Sequence, residues 1–262
     1  GLWCLYIIYV GADFMEFRFL VPVMPFLALA AAHLIDPFRK VWREVLLVGV
    51  LGLASLSHVV IDKWAFPVFT FKQLSHWPAD YTGSWRDMGQ RLGRAFPGGS
   101  ERADQPLLAV IPLGVIPYYS RLPAIDMLGL ADETVAHHGL VSTVYYPGHV
   151  HMAPISYLEE RRANLVIGEP QIFEPEAGRT EYRTGELIPL YPIVDLNDLP
   201  ATAKVIEIRL DERKVWPIIY LTPSDRVDEV VEQQGWTVYP LVHGCRKGDV
   251  DFAAKLVGTE TC

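Results

Sequence analysis

The chain reads as a membrane α-helical hairpin, preceded by a truncated helix and followed by an extracytoplasmic α/β domain with a mostly parallel sheet. Three observations predict this class. Residues 19–35 and 45–61 are two apolar runs of 17 residues without Asp, Glu, Lys or Arg. That is slightly short of the roughly 20 needed to cross a ~30 Å hydrocarbon layer, but residues 14–18 and 41–44 can extend both. Arg39, Lys40 and Arg43 lie between the runs, and the positive-inside preference puts that loop in the cytoplasm and everything after residue 62 outside. From residue 62 onward, short apolar runs alternate with Pro, Gly and charged clusters, as in a globular domain.

Taken in order, residues 1–61 form the membrane part, 62–83 an interfacial connector and 84–262 the extracytoplasmic domain. Residues 2–10 cover roughly 14 Å as a helix, half a span, and lack the basic flank of a signal peptide. They read as the cut end of a further span at 1–10, which makes the chain the C-terminal piece of a larger polytopic protein. The connector carries Trp64, Phe66, Phe69, Phe71 and Trp77, rings that favour the headgroup level. Ser84 caps a helix over 85–96 that Pro97-Gly98-Gly99 ends. A buried strand is predicted over 107–113, a helix over 156–162 and a parallel strand over 164–168. Further strands fall at 186–194 and 205–210, the latter alternating like an exposed sheet face. A strand at 216–221, a helix at 225–234 between Ser224 and Gly235, and a strand at 236–242 make a βαβ unit. Residues 97–105 and 174–184 read as weakly structured.

Acidic residues outnumber basic ones 31 to 23, a net charge of −8, and no basic patch suits phosphate neutralisation, so nucleic acid is excluded as a partner. No dinucleotide, P-loop, nucleophile-elbow, zincin or C-x-x-C pattern occurs. Cys4 lies in the truncated run, while Cys245 and Cys262 can pair in an oxidising compartment; two free thiols are the alternative. His137, His138, His149 and His151 lie near Glu159 and Glu160 in sequence, but a zinc site needs three or four placed ligands and no complete set can be nominated. No metal ligand or cofactor is assigned, and a divalent metal stays open.

Two groups of residues carry chemistry. Asp13, Glu16 and Arg18 sit at the outer mouth of the first full span, where ionisable groups mark a substrate path or simply snorkel to water. Tyr118, Tyr119, Ser120, Asp126 and Asp132 follow a buried strand, and loops at strand carboxyl ends bind ligands in α/β sheets. Rings and carboxylates suit sugar faces and hydroxyls. The structural alternative, with Asp126 capping a turn and the tyrosines packing, weighs more, because pockets are few and buried polar groups many.

The string formed by Gly11, Asp13, Phe14, Met15, Arg18, Phe19, Leu20 and Pro22 resembles a late outer-loop motif of polytopic bacterial glycosyltransferases of the GT-C class, especially terminal arabinofuranosyltransferase-like members. Ile116-Pro-Tyr-Tyr-Ser120, then residues 122–130 and Asp132, is similar to a segment of the C-terminal domains of the same proteins, as are Pro147-Gly148-His149, residues 157–161 and residues 165–167. The family's Gly-Gly stands here as Gly11-Ala12 and its Pro-Asp as Ala163-Asn164. The resemblance implies an enzyme in the bacterial plasma membrane, its large domain on the periplasmic side, that moves a sugar from a polyprenyl-phosphate donor to a cell-envelope glycan or glycolipid. The lipid bilayer, the lipid-linked donor and the glycan acceptor are then the partners. Arg18, Asp13 and Glu16 would bind the donor phosphate or sugar, while Tyr118, Tyr119, Ser120, Asp126, Asp132 and His149 would face the acceptor. The catalytic base belongs to an N-terminal loop this chain lacks, so the fragment alone is expected to be inactive. The rival reading is a membrane-anchored, non-catalytic periplasmic domain that binds or organises envelope components.

Overall fold

A computed structural model describes residues 79–141, 150–187 and 194–244, with isolated positions among the first 53. The chain divides into two compact units, Gly1–His76 and Trp77–Cys262. The hairpin of spans that the apolar runs predict is not found. Among the described residues no helix is long and apolar enough to cross a membrane. Most of residues 1–10, 19–35 and 45–61, and all of 62–78, lie outside the described residues. Long apolar runs alone do not separate a span from other buried helix, and these runs already fell short of a full crossing.

What is described is an α/β domain built on a mixed sheet. Its strands are β1 (Leu108–Val110), β2 (Ala124–Asp126), β3 (Leu140–Val141), β4 (His151–Met152), β5 (Leu165–Gly168), β6 (Tyr182–Arg183), β7 (Lys204–Arg209), β8 (Val215–Tyr220) and β9 (Thr237–Val242). The helices are α1 (Trp85–Ala95), α2 (Ile116–Ser120), α3 (Glu133–His138), α4 (Ile155–Glu160), α5 (Thr184–Leu187) and α6 (Asp225–Gln234). The large sheet runs β2-β1-β5-β8-β7-β9-β6, and β3 pairs with β4 in a separate two-stranded ribbon. Pairings β1/β2, β1/β5 and β6/β9 are parallel, whereas β5/β8, β7/β8 and β7/β9 are antiparallel. The expected mostly parallel sheet is therefore corrected to a mixed one. The reason is the short connection between β7 and β8: a parallel crossover needs a dozen or more residues, so this link can only be a hairpin. Because β7 lies antiparallel between β8 and β9, the predicted βαβ unit exists as a split one, with β7 inserted between its strands.

Strand periodicity divides the core in two. Leu108, Val110, Leu165, Ile167, Ile206, Ile208, Trp216 and Ile218 join Met88, Leu92 and Phe96 of the α1 region and Val227 and Val230 of α6. The alternate residues Ala109, Val166, Val205 and Ile219 pack with Val135, Ile155, Leu158 and Leu187 from α3, α4 and α5. Side chains of successive strand residues point to opposite faces, so the result is a sheet between two helical layers. The first crossover, through α2, lies on one face and the next, through α3 and α4, on the other. β1 thus becomes a point of strand-order reversal, the usual place for ligands in such sheets.

Local signals set the element ends. Ser84 accepts the Asp87 N–H, and the Asp87 carboxylate accepts the Gly83 N–H at 2.9 Å and the Arg91 Nε–H at 2.9 Å. Gly235 closes α6 at φ 64°, a left-handed cap suited to glycine. Two expectations fail. Residues 184–187 are helical rather than the start of a strand over 186–194, of which 188–193 lie outside the described residues. β7 is not an exposed face either, since Glu207 is 8% exposed. Residues 97–105 and 174–184 are tied down as well: Gln105 donates to the Pro97 carbonyl at 2.8 Å, and Arg179 bridges Glu176 and Glu186 at 2.7 Å each.

Candidate functional site

The loop after β1 leads into α2, whose five residues carry the predicted tyrosines. Pro117 opens this helix, and Arg121 ends it in a left-handed conformation at φ 59°. α2 lies hard against α1. A Cβ on Gly89 would stand 2.8 Å from the Ile116 carbonyl oxygen, and one on Gly93 would stand 3.0 Å from that of Tyr119. Glycines four residues apart therefore let the two helix backbones meet, and the surface they leave beside them is a cleft of about 660 Å³. Gln90, Arg94, Gly99, Glu101, Tyr119 and Arg121 are among its lining residues. The Arg86 guanidinium carbon lies 5.5 Å from the centroid of the Tyr119 ring, and the Tyr118 ring meets that ring edge-on at 5.1 Å. Tyr118 itself is 74% exposed. The cleft thus offers an aromatic wall with guanidinium, amide, hydroxyl and carboxylate groups around it, the groups that recognise sugar rings and their hydroxyls.

The other predicted site residues have different work. Ser120 lines the same cleft but is 2% exposed, and its hydroxyl accepts the Leu122 N–H at 3.3 Å. Asp126 is 3% exposed at the end of β2, where its carboxylate accepts the Leu128 N–H at 3.0 Å and the Ala131 N–H at 2.6 Å. It braces the turn through Gly129, where a Cβ would meet the Ala136 amide nitrogen at 2.5 Å. Asp132 caps α3 by accepting the Val135 N–H, and it accepts the Tyr157 hydroxyl at 2.8 Å. Arg161 then donates to the Tyr157 oxygen at 2.6 Å. Asp126 thus braces a turn, the role the alternative reading gives it, Asp132 caps a helix, and neither lines the cleft at Tyr119. His149, Asp13, Glu16, Arg18, Cys4, Cys245 and Cys262 lie outside the described residues. Among the described residues no group of three or more His, Cys, Asp or Glu could hold a metal ion.

Sequence reading missed Gln90, Arg94, Glu101 and Arg121. A usable signal was present, because glycine at 89 and 93 inside an otherwise strong helix marks the face where another backbone approaches. Also unforeseen is a buried cluster on the opposite layer. Tyr182 is fully buried and donates to Glu207 at 2.5 Å, while Arg179 stacks over its ring at 3.9 Å. Burial, reinforced by the Glu207 carboxylate, pushes the Tyr182 phenol far above its ordinary value.

A three-layer α/β domain with an open, polar and aromatic cleft between α1 and the end of α2 is the class that fold and site define. The chain belongs to the family described as Domain of unknown function (DUF8728), whose model matches residues 73–239, more than half of the sequence. No curated protein and no solved structure matches the chain.

Proposed function

We propose that this protein serves as a glycosyltransferase of the GT-C type at the extracytoplasmic face of the bacterial plasma membrane, taking a sugar from a polyprenyl-phosphate donor. Its α/β domain holds the acceptor, a cell-envelope glycan or glycolipid. The observation that carries this reading is Tyr119. It belongs to the Ile116-Pro-Tyr-Tyr-Ser120 string on which the resemblance rests, and it walls the cleft of about 660 Å³, with exposed Tyr118 beside it. A tyrosine ring takes the C–H face of a sugar, and Gln90, Arg94, Glu101 and Arg121 are suited to its hydroxyls. Asp126 and Asp132 are engaged in turn and cap hydrogen bonds, so the part assigned to the domain is binding through the cleft at Tyr119. Donor contacts are assigned, through the resemblance alone, to Arg18, Asp13 and Glu16.

The test is titration of the full chain with oligosaccharides released from bacterial envelopes, arabinofuranosides among them, followed by calorimetry or ligand-observed NMR. Tyr119→Ala should weaken binding by about tenfold, the equivalent of about 1.4 kcal/mol. Absence of saccharide binding, or binding indifferent to Tyr119, would overturn the proposal.

A further inference from the structure

Arg94 lines two openings. Besides the cleft at Tyr119 it borders a second one of about 360 Å³, whose lining includes Arg91, Arg209, Trp236, Thr237 and Tyr239. The second opening has a structural origin. β9 begins at Thr237, opposite Glu207, so Ile208 and Arg209 run on along β7 without a β9 partner. Helical spacing then puts Arg91 and Arg94, one turn apart on α1, over that gap.

The charge of these walls runs against that of the molecule. The chain carries a net charge of −8, yet four arginines, Arg91, Arg94, Arg121 and Arg209, line the two clefts. Arg91 is bound to Asp87 and to the Leu210 carbonyl. Arg94, Arg121 and Arg209 make no side-chain hydrogen bond or ion pair with any described residue. The carboxylates in the two linings are Glu101 and Glu207, and Glu207 already accepts the Tyr182 hydroxyl. Unpaired guanidinium forks therefore outnumber the carboxylates available to them. Planar guanidinium groups match phosphate oxygens in pairs, and Tyr119 lines one of the openings that share Arg94 and Trp236 the other, rings suited to sugar faces.

We infer that the two clefts form one groove, joined at Arg94, that takes a saccharide bearing phosphate, with Arg94 and Arg209 on the phosphate and Tyr119 and Trp236 on the sugar rings. This deepens the acceptor reading and rests on it for the saccharide. Phosphate on a sugar could come from a phosphorylated envelope glycan or from the head group of the lipid-linked donor.

Calorimetric titration of the full chain with three probes separates these sources: a neutral envelope oligosaccharide, the same oligosaccharide carrying one phosphate monoester, and a polyprenyl-phosphate sugar with a short, water-soluble prenyl chain. The phosphorylated oligosaccharide should bind about tenfold or more tighter than the neutral one, and the ratio should shrink as salt rises. Arg94→Ala and Arg209→Ala should each bring that ratio close to one, with Arg94→Lys in between. Both side chains are exposed, so the variants are expected to fold, which circular dichroism checks. If the neutral probe binds and phosphate adds nothing, or if the ratio survives both arginine variants, the inference falls while the acceptor reading stands. If only the prenyl-phosphate sugar binds, through Arg94, the phosphate site stands and the acceptor reading falls. Binding of none of the probes defeats both.

Discussion

At the scale of single residues, the buried trio Arg179, Tyr182 and Glu207 shows how polar side chains are accommodated inside this domain. Glu207 is nearly buried on a central strand, and the Tyr182 hydroxyl is the partner that makes this tolerable. Tyr182→Phe removes the donor and leaves the carboxylate without it, so unfolding free energy should drop by about 1–3 kcal/mol in denaturant titration. Tyr220 behaves similarly. Burial raises its phenol to about 12, while its hydroxyl binds the Ser224 carbonyl and the Asp228 carboxylate. Both folded-state values lie above the unfolded value of about 10, so the folded state holds more protons above that pH and stability falls as pH rises. Chemical-denaturation midpoints should be insensitive to these two groups below about pH 9 and decline between about pH 10 and 12, with a shallower decline in Tyr220→Phe. None of this was readable from the sequence, where Glu207 looked like one of the outward positions of an alternating strand. Alternation gives a side to each residue but does not say that both sides of the sheet are covered.

At the scale of elements, most boundaries followed from local chemistry. Ser84, Gly235 and the apolar run at 216–221 placed α1, α6 and β8 within a residue, because caps and periodicity act over a few residues, whereas the strand expected over 107–113 ends at Val110. What failed depends on partners distant in sequence. The direction of β8 relative to β5 and the helix at 184–187 are set by packing. Asn164 illustrates the difference: its side chain accepts the Leu107 N–H at 2.9 Å and donates to the Thr222 carbonyl at 2.9 Å, tying three segments that no local pattern relates. The contact of α1 with α2 offers the sharpest element-level test. Gly89→Ala places a methyl group 2.8 Å from the Ile116 oxygen and 2.9 Å from the Tyr119 Cβ. Overpacking of this kind costs about 1–3 kcal/mol, against a helix-propensity gain of about 1 kcal/mol at most. The variant should lose thermal stability and, because α2 carries Tyr119, also lose saccharide affinity. A Gly89→Ala protein as stable as wild type would mean that the helices are not held this closely.

At the scale of the whole molecule, the proposed acceptor-binding role rests on one cleft of a mixed α/β domain of the DUF8728 family. The sequence singled out Tyr118, Tyr119 and Ser120 for following a buried strand, and they share α2, but it grouped them with Asp126 and Asp132, which the fold uses for a turn and a cap. Proximity in sequence stood in for proximity in space, and the arginines that complete the cleft come from α1 and from the residue that ends α2. The most direct measurement is sugar transfer by the full-length protein from a synthetic polyprenyl-phosphate sugar to an envelope oligosaccharide, with initial rates recorded over a range of acceptor concentrations. The account predicts that Tyr119→Ala raises the acceptor KM about tenfold and leaves the donor KM within about threefold of wild type. Absence of transfer by the wild type from any such donor, or an acceptor KM unchanged in Tyr119→Ala, would contradict it.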